Sequence, residues 1–483
     1  MAEAAMNPFD NLPIETCQQI ASYLDSERDL CHYRLTCQST HDAVDADSCS
    51  FWRRRFLATF EKPTWSSGNN LRYKAAYQKR KRALMFGAKF EVALLKTPGK
   101  DLVRQVAKSV NALEVLRDLI VESFSEKKDD DVAYESANLS HITNFILNHD
   151  LLHVVMLAEK DGKDFHCIPK PLLQTIQVML APALLNTQNE RFMQYSYGFP
   201  DSQMTVYGTA LDCPIFGGCN NLDIRMDFLL HHLNFWKYHL RRDEHTLFSA
   251  FAALDAAEMP RFWRQQLKTG ANQLGTHWKG SYAFVDHPVI KHVRAGKGQN
   301  RAIQDEFNGE TDLASFQDLR LEFVPDEESY WPPVFEQHLK SLAPRASHAR
   351  TRAQMRSATP EGLAGFKPQN FRFGGEGQDV TEEFCAQGWL NALPAQQGVA
   401  GWQRMTMMKY FQDEDGTVDM DALWAYEGVV LPGGQIIMGR WWSPGDGVGR
   451  EMYSGPFLFF CVDGPTYEDA GSEEGECEGE GRV

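Results

Sequence analysis

The sequence has 483 residues, of which 43% are hydrophobic and 24% are charged, a composition typical of a globular protein with large cores. This length favours roughly two to four domains. The net charge of −16 argues against nucleic-acid binding through a basic surface. No apolar run reaches the length of about 18 residues that predicts a membrane span. Scattered cysteines without a C-x-x-C pair, and a start without a signal-peptide pattern, predict an intracellular protein of the cytoplasm or nucleus.

Residues 8–60 are predicted to form three short helices. Pro13 suits the first turn of a helix, where its missing N–H would have no partner in any case. Helical spacing then continues through a second face and into a third helix that begins at FWRRRF (51–56). The first apolar stripe consists of Ile14, Cys17, Ala21 and Leu24.

Residues 70–270 also show helical periodicity. Their apolar stripes recur every three or four residues, which predicts amphipathic helices that pack together. The clearest stripes lie within 103–120, 139–146 and 226–240. We therefore expect a helical region in the middle of the chain.

After Gly275 the hydrophobic period changes from 3.6 to 2, which indicates strands. A PGG turn at 432–434 joins two of the candidate strands into a hairpin. The six candidate strands are WKGSYAF (278–284), LRLEF (319–323), QRMTMMKYF (403–411), LWAYEGVVL (423–431), QIIMGRWW (435–442) and GPFLFFCV (455–462). The sequence predicts an α+β protein in which 271–465 form an antiparallel β barrel or sandwich, followed by a disordered acidic tail at 466–483.

A string of residues near the N-terminus resembles an F-box. It runs Leu12-Pro13-Ile14-Glu15, then Ile20, Leu24, Asp29-Leu30, Arg34-Leu35-Thr36-Cys37 and Phe51-Trp52. One departure is Cys17-Gln18-Gln19, where many F-boxes carry larger aliphatic residues. The resemblance implies that these helices dock the Skp adaptor of a Skp–cullin–F-box (SCF) ubiquitin ligase. The predicted adaptor-binding residues are Leu12, Pro13, Ile14, Glu15, Ile20, Leu24 and Leu30, whereas Leu35 and Trp52 are expected to hold the helices together.

Motifs in the second half of the chain also resemble a group of large F-box proteins of filamentous fungi. These motifs span roughly 275–463 and include GTHWKGSYAFVDHP, YWPPVFEQHL and YSGPFLFFCVD. This resemblance supports the F-box assignment and says little about the substrate.

No motif in the sequence selects a catalytic or metal site. The histidines His231, His232, His239 and His245 lack the ligand spacing of a zinc helix. DEDGTVDMD (413–421) lacks the sixth-position Gly and the terminal Glu of a calcium loop. Glycine-rich FGGEGQD (373–379) does not join a strand to a helix, so phosphate binding is unsupported. We predict neither catalytic residues nor metals nor cofactors.

The aromatic strands of the β region supply the candidate substrate site. Calycin-like barrels place an Arg over a Trp ring near a strand start, and Trp278 with Arg440 is the corresponding candidate cation–π pair. Structural packing of these aromatic residues is the competing interpretation. If a pocket exists, its predicted lining is Trp278, Tyr282, Arg440, Trp441 and Trp442, and its expected ligand is a degron or a peptide end.

These observations lead to one principal hypothesis and to alternatives from other classes. The principal one is a non-catalytic substrate receptor whose partners are the Skp adaptor, the cullin and a target protein, with no nucleic acid and no membrane. A related alternative is an F-box used for assembly without delivery of substrates. The other is a β-barrel small-ligand binding protein or enzyme whose F-box controls its assembly or turnover.

Overall fold

The fold combines N-terminal helices, a helical middle and a C-terminal β barrel, as the α+β prediction requires. The structure is a computed structural model that describes residues 8–45, 49–65, 68–85, 87–90, 100–127, 134–152, 169–186, 197–218, 221–242, 246–295, 303–307, 316–323, 330–342, 370–379, 382–413, 415–444 and 453–463. The predicted acidic tail lies outside these residues. None of the helices described there is both long enough and apolar enough to cross a membrane.

Most of the described helices precede the barrel, and two lie between barrel strands. In chain order they are the 3₁₀ helix η1 (Pro8–Asn11) and the α-helices α1 (Ile14–Ser22), α2 (Glu27–Arg34), α3 (Gln38–Asp45), α4 (Ser50–Thr59), α5 (Asn70–Met85), α6 (Lys100–Glu122), α7 (Ala137–Asn148), α8 (Lys170–Met179), α9 (Ala181–Leu185), α10 (Phe199–Tyr207), α11 (Met226–Leu240), α12 (Thr246–Ala252), α13 (His287–Arg294) and α14 (Pro333–Leu339). The stripes predicted at 103–120, 139–146 and 226–240 fall on α6, α7 and α11.

The prediction of three helices in 8–60 was wrong by one helix. The described residues of this segment contain four α-helices, because the second predicted face breaks between α2 and α3. There the Cys37 backbone N–H donates to the Thr40 hydroxyl at 3.1 Å, and the Thr40 hydroxyl donates back to the Cys37 carbonyl at 3.0 Å. This local turn ends one helix and starts the next.

Buried polar contacts hold the helical middle together and join it to the N-terminal helices. Arg80 on α5 donates to Glu122 on α6 at 2.5 Å, and both side chains are buried. Glu61, just after α4, accepts a hydrogen bond from the Ser125 backbone N–H at 3.0 Å. Buried polar groups must be paired to avoid a desolvation cost, so these contacts fix how the two parts of the chain meet.

The β region is a closed, eight-stranded antiparallel barrel, which decides between the barrel and the sandwich. Each strand pairs with the next along the chain, and the last strand pairs back with the first, for example Phe459 with Gly280. The barrel strands are β3 (His277–Phe284), β5 (Gln317–Glu322), β6 (Asn370–Asp379), β7 (Glu382–Ala392), β8 (Gln403–Tyr410), β9 (Trp424–Val430), β10 (Ile436–Trp442) and β11 (Ser454–Cys461). Outside the barrel, β1 (Phe216–Gly217) pairs with β2 (Asp223–Ile224), and β4 (Glu306–Phe307) extends β3.

Two barrel strands, β6 and β7, were missed by the sequence prediction. The segment FGGEGQD was considered only as a phosphate-binding candidate, yet it forms most of β6. Gly375 and Gly377 face the interior, where Gly377 leaves room for the Phe384 ring and Gly388 on β7 leaves room for the Phe373 ring. Small and large residues alternate there to fill a narrow barrel, so the apolar alternation expected of a strand is hidden.

Helix α11 packs the helical region onto the outside of the barrel. Its His232 ring is buried, with Nε2 lying 3.0 Å from the Gly439 carbonyl oxygen on β10 and Nδ1 lying 3.2 Å from the Phe228 carbonyl oxygen. Burial, reinforced by the nearby Arg440 charge, lowers the pKa of His232 to about 3. The imidazole is therefore neutral in the folded protein at neutral pH.

The glycines of the barrel interior provide a test of its packing. We expect Gly388→Ala to lower the free energy of unfolding by about 1–3 kcal/mol, because the new methyl group would collide with the Phe373 ring and the Thr406 carbonyl. Gly374→Ala is the matched control, since a Cβ there meets no atom within 4 Å. Urea unfolding followed by tryptophan fluorescence measures both, and equal effects would contradict the packing described.

His232 predicts how stability depends on pH. Its pKa is lower in the folded chain than the value of 6.5 in the unfolded chain, so its contribution is complete above pH 6.5 and is lost as the pH falls toward 3. The loss should reach about 1.4 kcal/mol per pH unit below 6.5. Urea unfolding between pH 7 and 4.5 should show a shallower slope for His232→Gln than for the natural chain; identical slopes would refute this assignment.

Candidate functional site

Apolar side chains remain exposed where η1 meets α1. Leu12 is 39% exposed and Ile14 is 38% exposed, and between them lies the exposed Pro13. Glu15, in the first turn of α1, is exposed as well. Among the predicted adaptor-binding residues, these four are the ones that the described chain leaves accessible.

The other three predicted adaptor-binding residues are partly or fully covered by the chain itself. Ile20 and Leu24 are partly buried against the main hydrophobic core. Leu30 is only 2% exposed, so in this conformation it belongs to the chain's own core and offers no surface to a partner. The reverse holds for Leu35, which was expected inside and is 77% exposed, whereas Trp52 is buried as predicted.

Hydrogen bonds hold the first helices in place from the side opposite the exposed residues. The Tyr33 hydroxyl donates to the Cys17 carbonyl at 2.9 Å, and the Arg55 guanidinium donates to the Leu24 carbonyl at 2.7 Å. Asp45 accepts from Trp52 Nε1 at 2.9 Å and pairs with Lys74 on α5 at 2.7 Å. These bonds fix the position of α1, and with it the position of the exposed residues at its start.

A second concave site lies at one mouth of the barrel. It is a cavity of about 160 Å³. Inward-pointing residues meet there because neighbouring antiparallel strands alternately end and begin at the same rim. We call this cavity the mouth pocket. Its lining residues are Tyr282, Phe284, Lys409, Trp424, Tyr426, Trp441 and Tyr453.

Lys409 is the charged group of the mouth pocket, and it is paired. Its Nζ lies 2.6 Å from Asp379 Oδ2 and 4.2 Å from the centre of the Phe384 ring. The Tyr282 hydroxyl donates to the same Asp379 oxygen at 3.2 Å. Burial lowers the pKa of Lys409, and the Asp379 carboxylate opposes that shift.

The position of Trp441 depends on a glycine. Its indole N–H donates to the Ala283 carbonyl at 3.0 Å, across the neighbouring strand β11. Gly455 is the β11 residue paired with Trp441, and a Cβ there would lie 3.0 Å from the indole nitrogen and collide with the Ala283 carbonyl. The absence of a side chain on Gly455 therefore lets the Trp441 ring reach into the mouth pocket.

The structure brings together two of the five predicted substrate-site residues. Tyr282 and Trp441 line the mouth pocket and lie with ring centres 5.7 Å apart at 76°. Trp278 also points into the barrel, but it lies four residues back along β3 and is fully buried, with its indole N–H bonded to the Gly275 carbonyl. It fills the core below the mouth pocket.

Arg440 and Trp442 lie on the outer face of the barrel, so the predicted Trp278–Arg440 pair does not form. Residues alternate between faces along β10, and Arg440 points toward the helices. There its guanidinium donates to the Cys213 carbonyl at 3.0 Å and lies 5.4 Å from the Phe228 ring centre. Burial lowers the pKa of Arg440 to about 10. Trp442 packs with α14 in a separate outer cluster.

The sequence analysis missed the remaining lining residues of the mouth pocket. One of them, Lys409, could have been found from the alternation of its strand. In QRMTMMKYF the inward positions are Met405, Met407 and Lys409, so a lysine occupies a position that alternation assigns to the interior. Its partner Asp379 is the last residue of β6, one of the two strands that the sequence prediction missed. A charged residue at an inward position indicates a buried partner or a pocket.

No metal site emerges from the described residues. In that part of the chain, no group of three or more His, Cys, Asp and Glu side chains is arranged to hold a metal ion. His232 and His239 are buried, and His239 Nε2 lies 3.0 Å from Asp305 Oδ2. These histidines have structural partners, which agrees with the interpretation made from their spacing.

Comparison with known proteins bears on the first of the two sites. Residues 9–58 match the F-box-like family model. Searches of curated proteins and of solved structures found no match. The similarity of 275–463 to large fungal F-box proteins stays a prediction, since the match ends at residue 58. The exposed corner of η1 and α1 lies within the matched segment, and this chain therefore contains an F-box-like domain at residues 9–58.

Proposed function

We propose that this chain is the substrate-receptor subunit of an SCF ubiquitin ligase. In this proposal the N-terminal helices bind the Skp adaptor, which connects to the cullin, and the C-terminal barrel binds the target protein. The observation that carries the proposal is the F-box-like match at residues 9–58 together with the apolar surface that this segment leaves exposed.

The accessible corner of α1 has the features of a protein-docking surface. Leu12, Pro13 and Ile14 form a continuous exposed apolar stretch, whereas the apolar residues one turn further on are buried in the chain. A few apolar anchors usually carry most of the binding energy of an interface. This supports docking through the start of α1, with Ile20 and Leu24 contributing at its edge.

The mechanism would be proximity. The receptor makes and breaks no bonds; it holds a target near the ubiquitin carrier and so raises the effective concentration of one relative to the other. Fixed geometry favours such a role. The Lys74–Asp45 pair connects the helical middle to the N-terminal helices, and the His232–Gly439 contact connects the helical middle to the barrel.

A small-ligand carrier or enzyme built on the barrel is the second candidate. The observation that favours it is the mouth pocket, in which a buried Lys409–Asp379 pair lies among aromatic rings. In that case the F-box would control assembly or turnover of the carrier. The two functions differ in whether target proteins become ubiquitinated when the adaptor is bound.

Truncation of the exposed anchors tests the adaptor interaction. We expect Leu12→Ala/Ile14→Ala to weaken binding of the purified Skp adaptor at least roughly 30-fold, because two apolar anchors of about 1 kcal/mol or more each would be lost. Thermal stability should change little, since both side chains are exposed. Calorimetric titration measures the affinity. Leu24 is a poorer choice, because it also packs on the core.

The matched control removes two exposed apolar side chains outside the family match, Leu71→Ala/Met85→Ala. We expect this control to bind the adaptor like the natural chain. Equal binding by all three proteins would refute the proposed interface. If the adaptor binds but affinity purification recovers neither the cullin nor ubiquitinated proteins, the receptor role fails and the second candidate gains support.

A further inference from the structure

We propose that the mouth pocket binds a single neutral aromatic ring that carries a hydroxyl or N–H group. The inference deepens the proposed function, because it gives the chemical class of the group that the barrel would recognise on a target. Only one part of the inference rests on the proposed function, namely that the ring belongs to a target protein. Binding of the ring itself can be measured without the adaptor.

The size of the cavity sets the first limit. A cavity of about 160 Å³ is close to the engineered cavity of roughly 150 Å³ in another protein that holds one benzene molecule. Pockets for drug-sized ligands are about 300–1,000 Å³. An eight-stranded barrel is wide enough for a small ligand at most. The mouth pocket therefore accommodates one side chain or one small ring.

The walls of the pocket are suited to a ring. Trp441 is surrounded edge-to-face by Trp424 at 5.4 Å and 73°, and by Tyr453 at 5.4 Å and 82°. Tyr282 approaches it at 5.7 Å and 76°. Edge-to-face contacts are a favoured geometry for aromatic pairs, and a further ring can extend such a cluster. Tyr282, Trp424 and Tyr453 are partly exposed, so the cluster is accessible from the rim.

The charges of the pocket argue against an ionic ligand of either sign. Lys409 lies in the pocket wall and would repel a cation. A carboxylate would meet Asp379, which already holds the Lys409 ammonium group, and the exposed Glu382 opposite Asp379 on β7. The ion pair is neutral as a unit. In addition, the Lys409 ammonium group already lies over aromatic rings. The face of a bound ring would add a further cation–π contact.

Polar groups in and beside the pocket explain why the ring should carry a hydrogen-bonding group. Asp379 Oδ1 is buried and has no hydrogen-bond partner among the described residues, although Oδ2 of the same carboxylate accepts two. The buried Tyr426 also contributes its side chain to the pocket wall. Its pKa is raised by burial and further by the charges of Tyr282 and Asp379, so the hydroxyl is neutral and lies near the carboxylate. A hydroxyl or N–H group on the ligand could form a hydrogen bond with the Tyr426 hydroxyl in the pocket wall.

A series of probes that share one ring and differ in charge tests the proposal. The full chain is titrated with p-cresol, toluene, benzylammonium and benzoate, and binding is followed by tryptophan fluorescence and calorimetry. We expect p-cresol to bind most tightly, toluene roughly 5- to 10-fold more weakly, and both ions at least about tenfold more weakly than p-cresol. Tightest binding of either ion, or no binding of p-cresol at millimolar concentration, would overturn the proposal.

Substitutions locate the binding. Trp441→Leu should abolish p-cresol binding, whereas the neighbouring Trp442→Leu, on the outer face, should leave it unchanged. Tyr426→Phe keeps the ring and removes the hydroxyl; it should weaken p-cresol about 5-fold and leave toluene unchanged. This conservative variant keeps the proposal testable if Trp441→Leu fails to fold. Unchanged p-cresol binding in Tyr426→Phe would refute the hydrogen bond to the pocket wall.

Two further measurements show whether the ring belongs to a protein or to a free small molecule, and whether ring binding is independent of adaptor binding. An end-capped peptide with one central tyrosine should compete with p-cresol if the ring belongs to a protein, and the same peptide with alanine at that position should not. Competition by neither peptide would assign the pocket to a free small molecule and overturn its role in the target. Leu12→Ala/Ile14→Ala should lose the adaptor and keep p-cresol binding, so failure of one proposal leaves the other measurable.

Discussion

Closure of the antiparallel sheet upon itself is the constraint on which the C-terminal half of the molecule depends. The pairing of β11 with β3 satisfies the backbone hydrogen bonds of both edge strands and leaves no open edge for aggregation. Closure also divides every strand into an inner and an outer face. One face packs a narrow aromatic core that ends in the mouth pocket, and the other receives the helices. Neither surface would exist in the same form on an open sheet.

A narrow barrel can hold large rings only where small residues oppose them. Gly280 lies against Phe459, Gly377 against Phe384, and Gly455 against the Trp441 indole. The same scarcity of space explains why the interior charge occurs as a pair: Lys409 and Asp379 neutralise each other beneath the rim. A lone charge at that depth would be too poorly solvated to persist. The narrow interior therefore accounts both for the opposition of rings and glycines and for the pairing of the buried charges.

The helical middle and the N-terminal helices differ in how much of their apolar surface the chain itself covers. Helix α11 is buried almost throughout because it contacts other helices on one side and β10 on the other. At the N-terminus the chain covers the inner residues of α1 and α2 and leaves Leu12, Ile14 and Leu35 exposed. Exposed apolar residues cost solubility unless a partner covers them. This difference supports a docking role for the N-terminal helices and a scaffolding role for the helical middle.

The sequence by itself determined what depends on local periodicity and on a linear motif. The stripes of α6, α7 and α11, six of the eight barrel strands and the F-box-like segment could all be read from spacing, because each is encoded by residues close together in the chain. Only the tertiary structure decided what depends on residues far apart. Closure as a barrel rests on the pairing of 278–282 with 457–461. The glycine-rich strands β6 and β7 are strands because their neighbours supply the hydrogen bonds and the rings. Register and twist decide on which side of β10 Arg440 and Trp441 lie. They also decide that Lys409 pairs with Asp379, and no single segment specifies either one.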